Sequence, residues 1–282
     1  MANYYAFRLM LSKPAQMDAF EQELSKRQLL ELAISRINES RLFAFNAKGK
    51  RYLIYYQIEI NAGTYALQIA REDIVLEPKA GETGITNQQD VIYPYSYFIV
   101  DIPRQILLVQ EKFSSFRDVD SIVSRVKDFF EKTLEDQRVT VAIDAISYAE
   151  YIWTEIENAQ ELYSLVLDID PPNFFGSRFR SNIDIREAYE ETNFTKFKLI
   201  LSNKFGQLRL RREEFEEIIR TVSSGAGNFI VKLRDSLGRI VSVGNHTRPK
   251  SVEMPEDPIN IPPDVLEEEI DQADKLNNNR PL

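Results

Sequence analysis

Apolar and polar residues alternate along much of the chain, and the alternation changes period twice. "YYAFRLML" alternates as a strand over Tyr4–Leu11. Pro14 then opens a predicted helix to about Ile37, because a first turn tolerates a residue without an N–H. Phe20, Leu24, Leu29, Leu30, Ile34 and Ile37 keep helical spacing along it. "RLFAFNAKGKRYLIYYQIEI" reads as two aromatic-rich strands about a turn in "NAKGK", where Asn46 and Gly49 suit a hairpin. "TYALQIA", "DIVLEP", "VIYPYSYFIVDI" and "RQILLVQEKF" extend a strand meander. The polar, glycine-containing "KAGETGITNQQD" reads as a mobile loop within it.

Near "SSFRDVD" the pattern becomes an alternation of helices and strands. "DVDSIVSRVKDFFEKTLED" is a helix with Ile122, Val126, Phe129 and Phe130 on one side. A strand "RVTVAIDAI", a helix "YAEYIWTEIENA" and a strand "ELYSLVLDID" follow. After the loop "PPNFFGSRFRSN" come a helix "DIREAYEETN", a strand "FTKFKLILSN", a helix "REEFEEIIRTVSS" and a closing hairpin "NFIVKLRDSLGRIVSVG". The expectation is an α+β protein. An N-terminal strand–helix–antiparallel meander over 1–113 precedes a C-terminal module, 114–246, with helices packed on a mixed sheet. Residues 247–282, acidic and rich in proline, are expected to be loosely held, with a short acidic helix in "VLEEEIDQADKL".

Composition removes several kinds of chemistry. The chain has 282 residues, 43% apolar, with no cysteine and one histidine, His246. Disulfides, thiolate metal sites and cysteine nucleophiles are excluded, as is a zinc site with several histidines. A serine triad would have to use His246, which stands in "GNHTRP" beside the proline-rich tail. No apolar run approaches a membrane span, and the N-terminus does not read as a signal peptide, so the expected location is the cytoplasm.

Charge changes the picture more. The net charge is −9, which argues against a nucleic-acid partner. Residues 174–250, however, hold 15 Lys and Arg against 9 Asp and Glu, while 251–282 hold 2 against 9. Strand alternation places Phe197, Leu199 and Leu201 on one side of their strand and Lys196 and Lys198 on the other. It likewise opposes Leu208 and Leu210 to Arg209 and Arg211, and Phe229, Val231 and Leu233 to Lys232 and Arg234. If these segments share a sheet, their cations form a patch able to displace counterions from phosphates. Arg178 and Arg180 in the preceding loop would extend it, with Phe174, Phe175 or Phe179 available to stack on bases. Packing is the commoner use of such phenylalanines, and a solvated face the commoner use of such lysines.

Two further features invite chemistry. Asp168 and Asp170 share one face at a strand end, and Asp144 ends the strand before it, a carboxylate set that Mg²⁺ could use in a nuclease. Exposed aspartates before a Pro-Pro turn are common without any metal, and no cofactor is expected. "SSGAGN" runs from helix to strand, the reverse of a phosphate cradle, so Gly225 is read as a left-handed helix cap.

The order "ELYSLVLDIDPPNFF", "DIREAYEETNFTKFKLILSNKFGQL", helix, "NFIVKLRDSLGRIVSVGNHTRP" resembles a family of uncharacterised prokaryotic proteins. The front half, "NYYAFRLML" to "YPYSYFIVDIPRQILLVQEKF", is similar in layout to the RexA-like sensors of prophage exclusion. The likeness is one of element order over most of residues 3–250, and Asp-Pro-Pro-Asn stands where a basic residue would be expected before Pro-Asn. It implies a DNA-binding sensor in phage defence that acts with a membrane or effector protein; the chain is further expected to be non-enzymatic and a homo-oligomer. A protein-recognition scaffold without nucleic acid, or a Mg²⁺ nuclease, are the alternatives.

Overall fold

The computed structural model describes residues 1–12, 24–81, 84–169, 194 and 196–275. They build two antiparallel sheets, each covered by helices. The first sheet runs β14 (Ser251–Met254), β1 (Ala2–Ser12), β8 (Ile106–Gln110), β7 (Tyr95–Asp101), β4 (Thr64–Arg71), β3 (Lys50–Asn61), β2 (Leu42–Ala47). One edge of β1 is shared: β14 pairs with Ala2–Tyr5, and β9 (Thr140–Ala145) pairs with Phe7–Ser12.

Helix α1 (Lys26–Ser40) and helix α2 (Val119–Thr133) cover one face of this sheet. α1 begins at a capping box: the Ser25 hydroxyl accepts from the Gln28 N–H at 3.2 Å, and Gln28 Oε1 accepts from the Ser25 N–H at 2.8 Å. The expected start at Pro14 lies outside the described residues. Asp118 caps α2 in the same way, accepting from the Ser121 N–H at 2.7 Å. Leu29, Leu30, Ile37, Phe129 and Phe130 are fully buried against Phe7, Leu9 and Phe98. The hairpin β2–β3 turns on Lys48 and Gly49, whose φ values of 48° and 76° are the pair a two-residue turn of this hand requires.

The second sheet has the order β11 (Phe197–Ser202), β10 (Glu161–Ile169), β12 (Gly227–Arg234), β13 (Ile240–Gly244). All of its strand pairs are antiparallel, which corrects the expected mixed sheet. β11 and β12, joined by a helical crossover, do run in the same direction, but they are not neighbours, because β10 lies between them and is antiparallel to both. Helix α3 (Ala149–Glu157) and helix α4 (Arg212–Ser223) pack on one face. Ile152, Trp153, Phe215, Ile219 and Val222 close over Leu165, Leu167, Phe229 and Val231.

Buried Asn245 ties the two sheets together. Its amide donates to the carbonyls of Ala145 at 3.3 Å and Gly227 at 2.9 Å. The Arg8 side chain, also buried, donates from Nε to the Ser224 carbonyl at 3.3 Å and from Nη1 to the Arg104 carbonyl at 2.6 Å.

Two segments differ from expectation. In "KAGETGITNQQD" the described residues 79–81 and 84–90 are strand, not loop: they contribute to a two-stranded ribbon, β5 (Asp73–Gly81) with β6 (Gly84–Ile92), that pairs with no other described strand. The acidic C-terminal segment, expected to be loose, forms β14 and helix α5 (Pro263–Lys275). Leu266, Ile270 and Ala273 of α5 are buried with Tyr4, Ile99 and Leu108 on the second face of the first sheet. Its carboxylates meet cations of that sheet: Glu267 and Asp271 pair with Arg104 at 2.9 and 2.7 Å, and Asp274 with Arg8 at 3.1 Å. No described helix is long and apolar enough to cross a membrane.

Candidate functional site

Among the described residues, the second sheet has helices on one face and none on the other. Phe197, Leu199, Leu201, Leu208 and Leu210 turn toward the helices, as do the buried Phe229, Val231 and Leu233. Lys196, Lys198, Arg209, Arg211 and Lys232 are exposed and Arg234 is half-buried. The inward and outward assignment made from period two therefore holds at every described position of the set. Arg178 and Arg180, with Phe174, Phe175 and Phe179, lie outside the described residues.

Register shows how the outward groups are arranged. One row crosses the sheet from Lys198 through Asp168 to Asn228. The next is aliphatic, from Ile200 through Val166 to Ile230 and on to Gly244. Ile200 is 58% exposed and Ile230 43%. A third row is Ser202, Ser164, Lys232 and Ser242. At the far end Arg234 stands opposite Glu161. Arg209 and Arg211 are off this face: beyond the parallel bridge between Leu162 and Gln207, their segment leaves the sheet edge and leads into α4.

Half of these cations have carboxylate partners. Lys196 Nζ is 3.1 Å from Asp168 Oδ2, and Arg211 Nη1 is 3.5 Å from Glu214 Oε1. Arg234 Nε donates to Glu161 Oε2 at 2.7 Å while its Nη2 donates to the Tyr163 hydroxyl at 3.0 Å. The Tyr163 hydroxyl in turn donates to Glu161. Hydrogen bonds from Tyr163 and then Arg234 hold the Glu161 carboxyl below its ordinary pKa. The same Glu161 contact, with Tyr163 behind it, raises Arg234. Among the described residues the sheet face is thus a mild cationic surface with an aliphatic centre, not a continuous basic patch.

The two described members of the carboxylate set stand on different sheets. Asp144 stands on β9 opposite Arg8 in the first sheet, Asp168 is engaged with Lys196 in the second, and Asp170 lies outside the described residues. No group of three potential metal ligands occurs among the described residues. Gly225 ends α4 with φ 92°, and its N–H donates to the Val222 carbonyl at 3.0 Å, the left-handed cap expected. His246 lies 3.7 Å from Asp120, with no serine nucleophile in hydrogen bond to it among the described residues.

Sequence reasoning missed the aliphatic row. Its signal was present in "FKLILS" and "NFIVKL", where Ile200 and Ile230 interrupt the polar side of their strands. Comparison with known protein families and with curated proteins finds no match to this chain.

Proposed function

We propose that this is a non-enzymatic recognition protein that docks a protein partner on the open face of the second sheet. The observation carrying this reading is the exposed row Ile200–Val166–Ile230, bordered by Lys198 on one side and Lys232 on the other. Such a surface suits an apolar ridge flanked by carboxylates: the aliphatic centre supplies area, and the rim cations supply orientation and on-rate. A phosphate backbone suits it less well. It would cross an aliphatic row, and aromatic rings are absent from the three rows that cross β10 and β12.

A role in phage exclusion, sensing a phage-derived or effector protein, is the context that the likeness of element order to the RexA-like sensors suggests. A DNA-binding reading remains as a second, favoured by Lys198 and Lys232 emerging on the same side. Exposed ion pairs such as Lys196–Asp168 are worth only about 0–1 kcal/mol, so a phosphate could displace them.

Photo-crosslinkers placed at Ser202 and Ser242, in cells of the native host under phage challenge, test the reading. One partner should be captured whose yield drops at least ~10-fold both with Ile200→Glu and with Lys198→Glu/Lys232→Glu, a loss of about 1.4 kcal/mol or more. The DNA reading predicts a different pattern. Duplex or single-stranded DNA should bind with a steep salt dependence, lost on charge reversal and kept in Ile200→Glu.

A further inference from the structure

We infer that the β5–β6 ribbon is a dimerisation arm that packs face to face on the same arm of a second copy of this chain. The ribbon pairs from Asp73 opposite Ile92 to Gly81 opposite Gly84. A free two-stranded ribbon is marginal in water, and three strands or a packed face are normally needed. Its base is clamped: Asp73 accepts from Lys50 at 2.8 Å and from Arg71 Nε at 2.8 Å. Beyond that base the ribbon pairs with no other described strand.

Its two faces differ in kind. One carries Ile74, Leu76, Pro78, Ala80, Ile85 and Val91, with the uncharged Asn87 and Gln89 between the last two. The other carries all the charges of the described ribbon, namely Asp73, Glu77, Lys79 and Asp90, with Lys79 and Asp90 paired to each other. The apolar face is open: Ile74 is 68% exposed, Leu76 64%, Ile85 77% and Val91 53%.

A second copy fits this face better than another occupant because the face is complementary to itself. A two-fold axis passing across the ribbon at the Glu77–Gln88 pair sets β5 over β5 and β6 over β6, running in opposite directions. Ile74 then lies over Ala80 of the second copy, and Leu76 over Pro78. On the other strand Ile85 lies over Val91, and Asn87 over Gln89, amide on amide. One axis serves both strands because Glu77 and Gln88 are register partners. The bodies lie at opposite ends of the paired arms, and no charge is buried. The single lysine against three acids also disfavours phosphate or an anionic membrane on the arm.

The area agrees with a real but modest association. The four open aliphatic side chains expose roughly 500 Å² per copy, so the pair buries about 1,000 Å², the lower bound of specific interfaces. A contact of this size stands at the weak, reversible end of specific association.

Sedimentation equilibrium of the full chain, from about 1 to 100 μM, tests this. The expected result is a concentration-dependent rise from 32.8 kDa toward twice that mass. Leu76→Lys/Ile85→Asp should weaken association at least ~10-fold without changing the circular dichroism spectrum, because both side chains are already solvated in one copy. The absence of cysteine allows a geometric check. An equimolar mixture of Ile74→Cys and Ala80→Cys chains should be joined by a short bismaleimide more efficiently than either variant alone, because like cysteines in a single variant lie six residues apart along the paired strands, roughly 20 Å. A mass of one chain throughout, a dimer insensitive to Leu76→Lys/Ile85→Asp, or crosslinking equal in the mixture and the single variants would each overturn the inference.

Discussion

Leu266→Ala tests whether the acidic C-terminal segment is part of the folded core. Leu266 is fully buried on α5, among Tyr4, Ile99, Leu108 and Met254. The substitution removes three carbons, worth about 2.4 kcal/mol at ~0.8 kcal/mol each, before any cavity term. Incomplete collapse of the site raises the cost to roughly 3–4 kcal/mol. For a chain of this length that loss should lower the thermal midpoint by about 5–7 °C. Glu267→Gln is the control on the same helix. It removes a half-exposed partner of Arg104, and Asp271 stays within 2.7 Å of that arginine, so the change should be below ~1 kcal/mol. Thermal and urea denaturation followed by circular dichroism measure both. If Leu266→Ala costs less than about 1 kcal/mol, or if removing 263–282 leaves the midpoint unchanged, α5 is not docked and the reasoning fails.

Tyr4 is buried, its hydroxyl donating to the Glu256 carbonyl at 3.1 Å and accepting from Gln110 Nε2 at 3.3 Å. Burial first, then the charges of Tyr97, Asp257 and Glu256, raise its pKa above the ordinary tyrosine value of 10.0. The folded state then keeps a proton that the unfolded state releases, so stability is intact below that value and falls as pH rises beyond it. Tyr4→Phe should flatten this alkaline slope in urea titrations, and an unchanged slope would refute the assignment. Gly225→Ala should cost at least ~2–3 kcal/mol, because φ is 92° and the new Cβ would overlap the Arg8 Cβ. Gly238→Ala has a φ of 79° with open space around it and should cost only about 1 kcal/mol, so equal thermal midpoints for the two variants would refute this.

The residues that were legible in sequence are those whose structure is set by their own side chains. β11 and β12 each keep one side uniformly apolar, so that side could be assigned before any partner strand was known, and the helices α2 and α4 show an apolar stripe every three to four residues. β6 was illegible because "GITNQQDVI" has a polar centre and no apolar period. It is a strand because β5 pairs with it residue by residue, and that pairing is a property of two segments together. α5 was readable as a short helix, but its role was not. Leu266, Ile270 and Ala273 have helical spacing, yet the second face of the first sheet that receives them is formed mostly by residues of β1, β4, β7 and β8, more than 150 positions away.

The same distinction decides the charge of the candidate face. A strand's own pattern says which side a lysine takes, and nothing about the strand beside it. Lys196 and Lys198 looked like the start of a basic stripe, but antiparallel pairing brings Asp168 opposite Lys198 and within reach of Lys196. Arg234 meets Glu161 by the same route. Both acids lie outside 174–250, the segment whose excess of cations suggested a nucleic-acid surface. The excess belongs to the segment and is diluted on the face, because a sheet face draws its charges from every strand that crosses it. What the strands leave uncompensated is the exposed aliphatic row between Lys198 and Lys232, the feature on which the proposal of a protein partner rests.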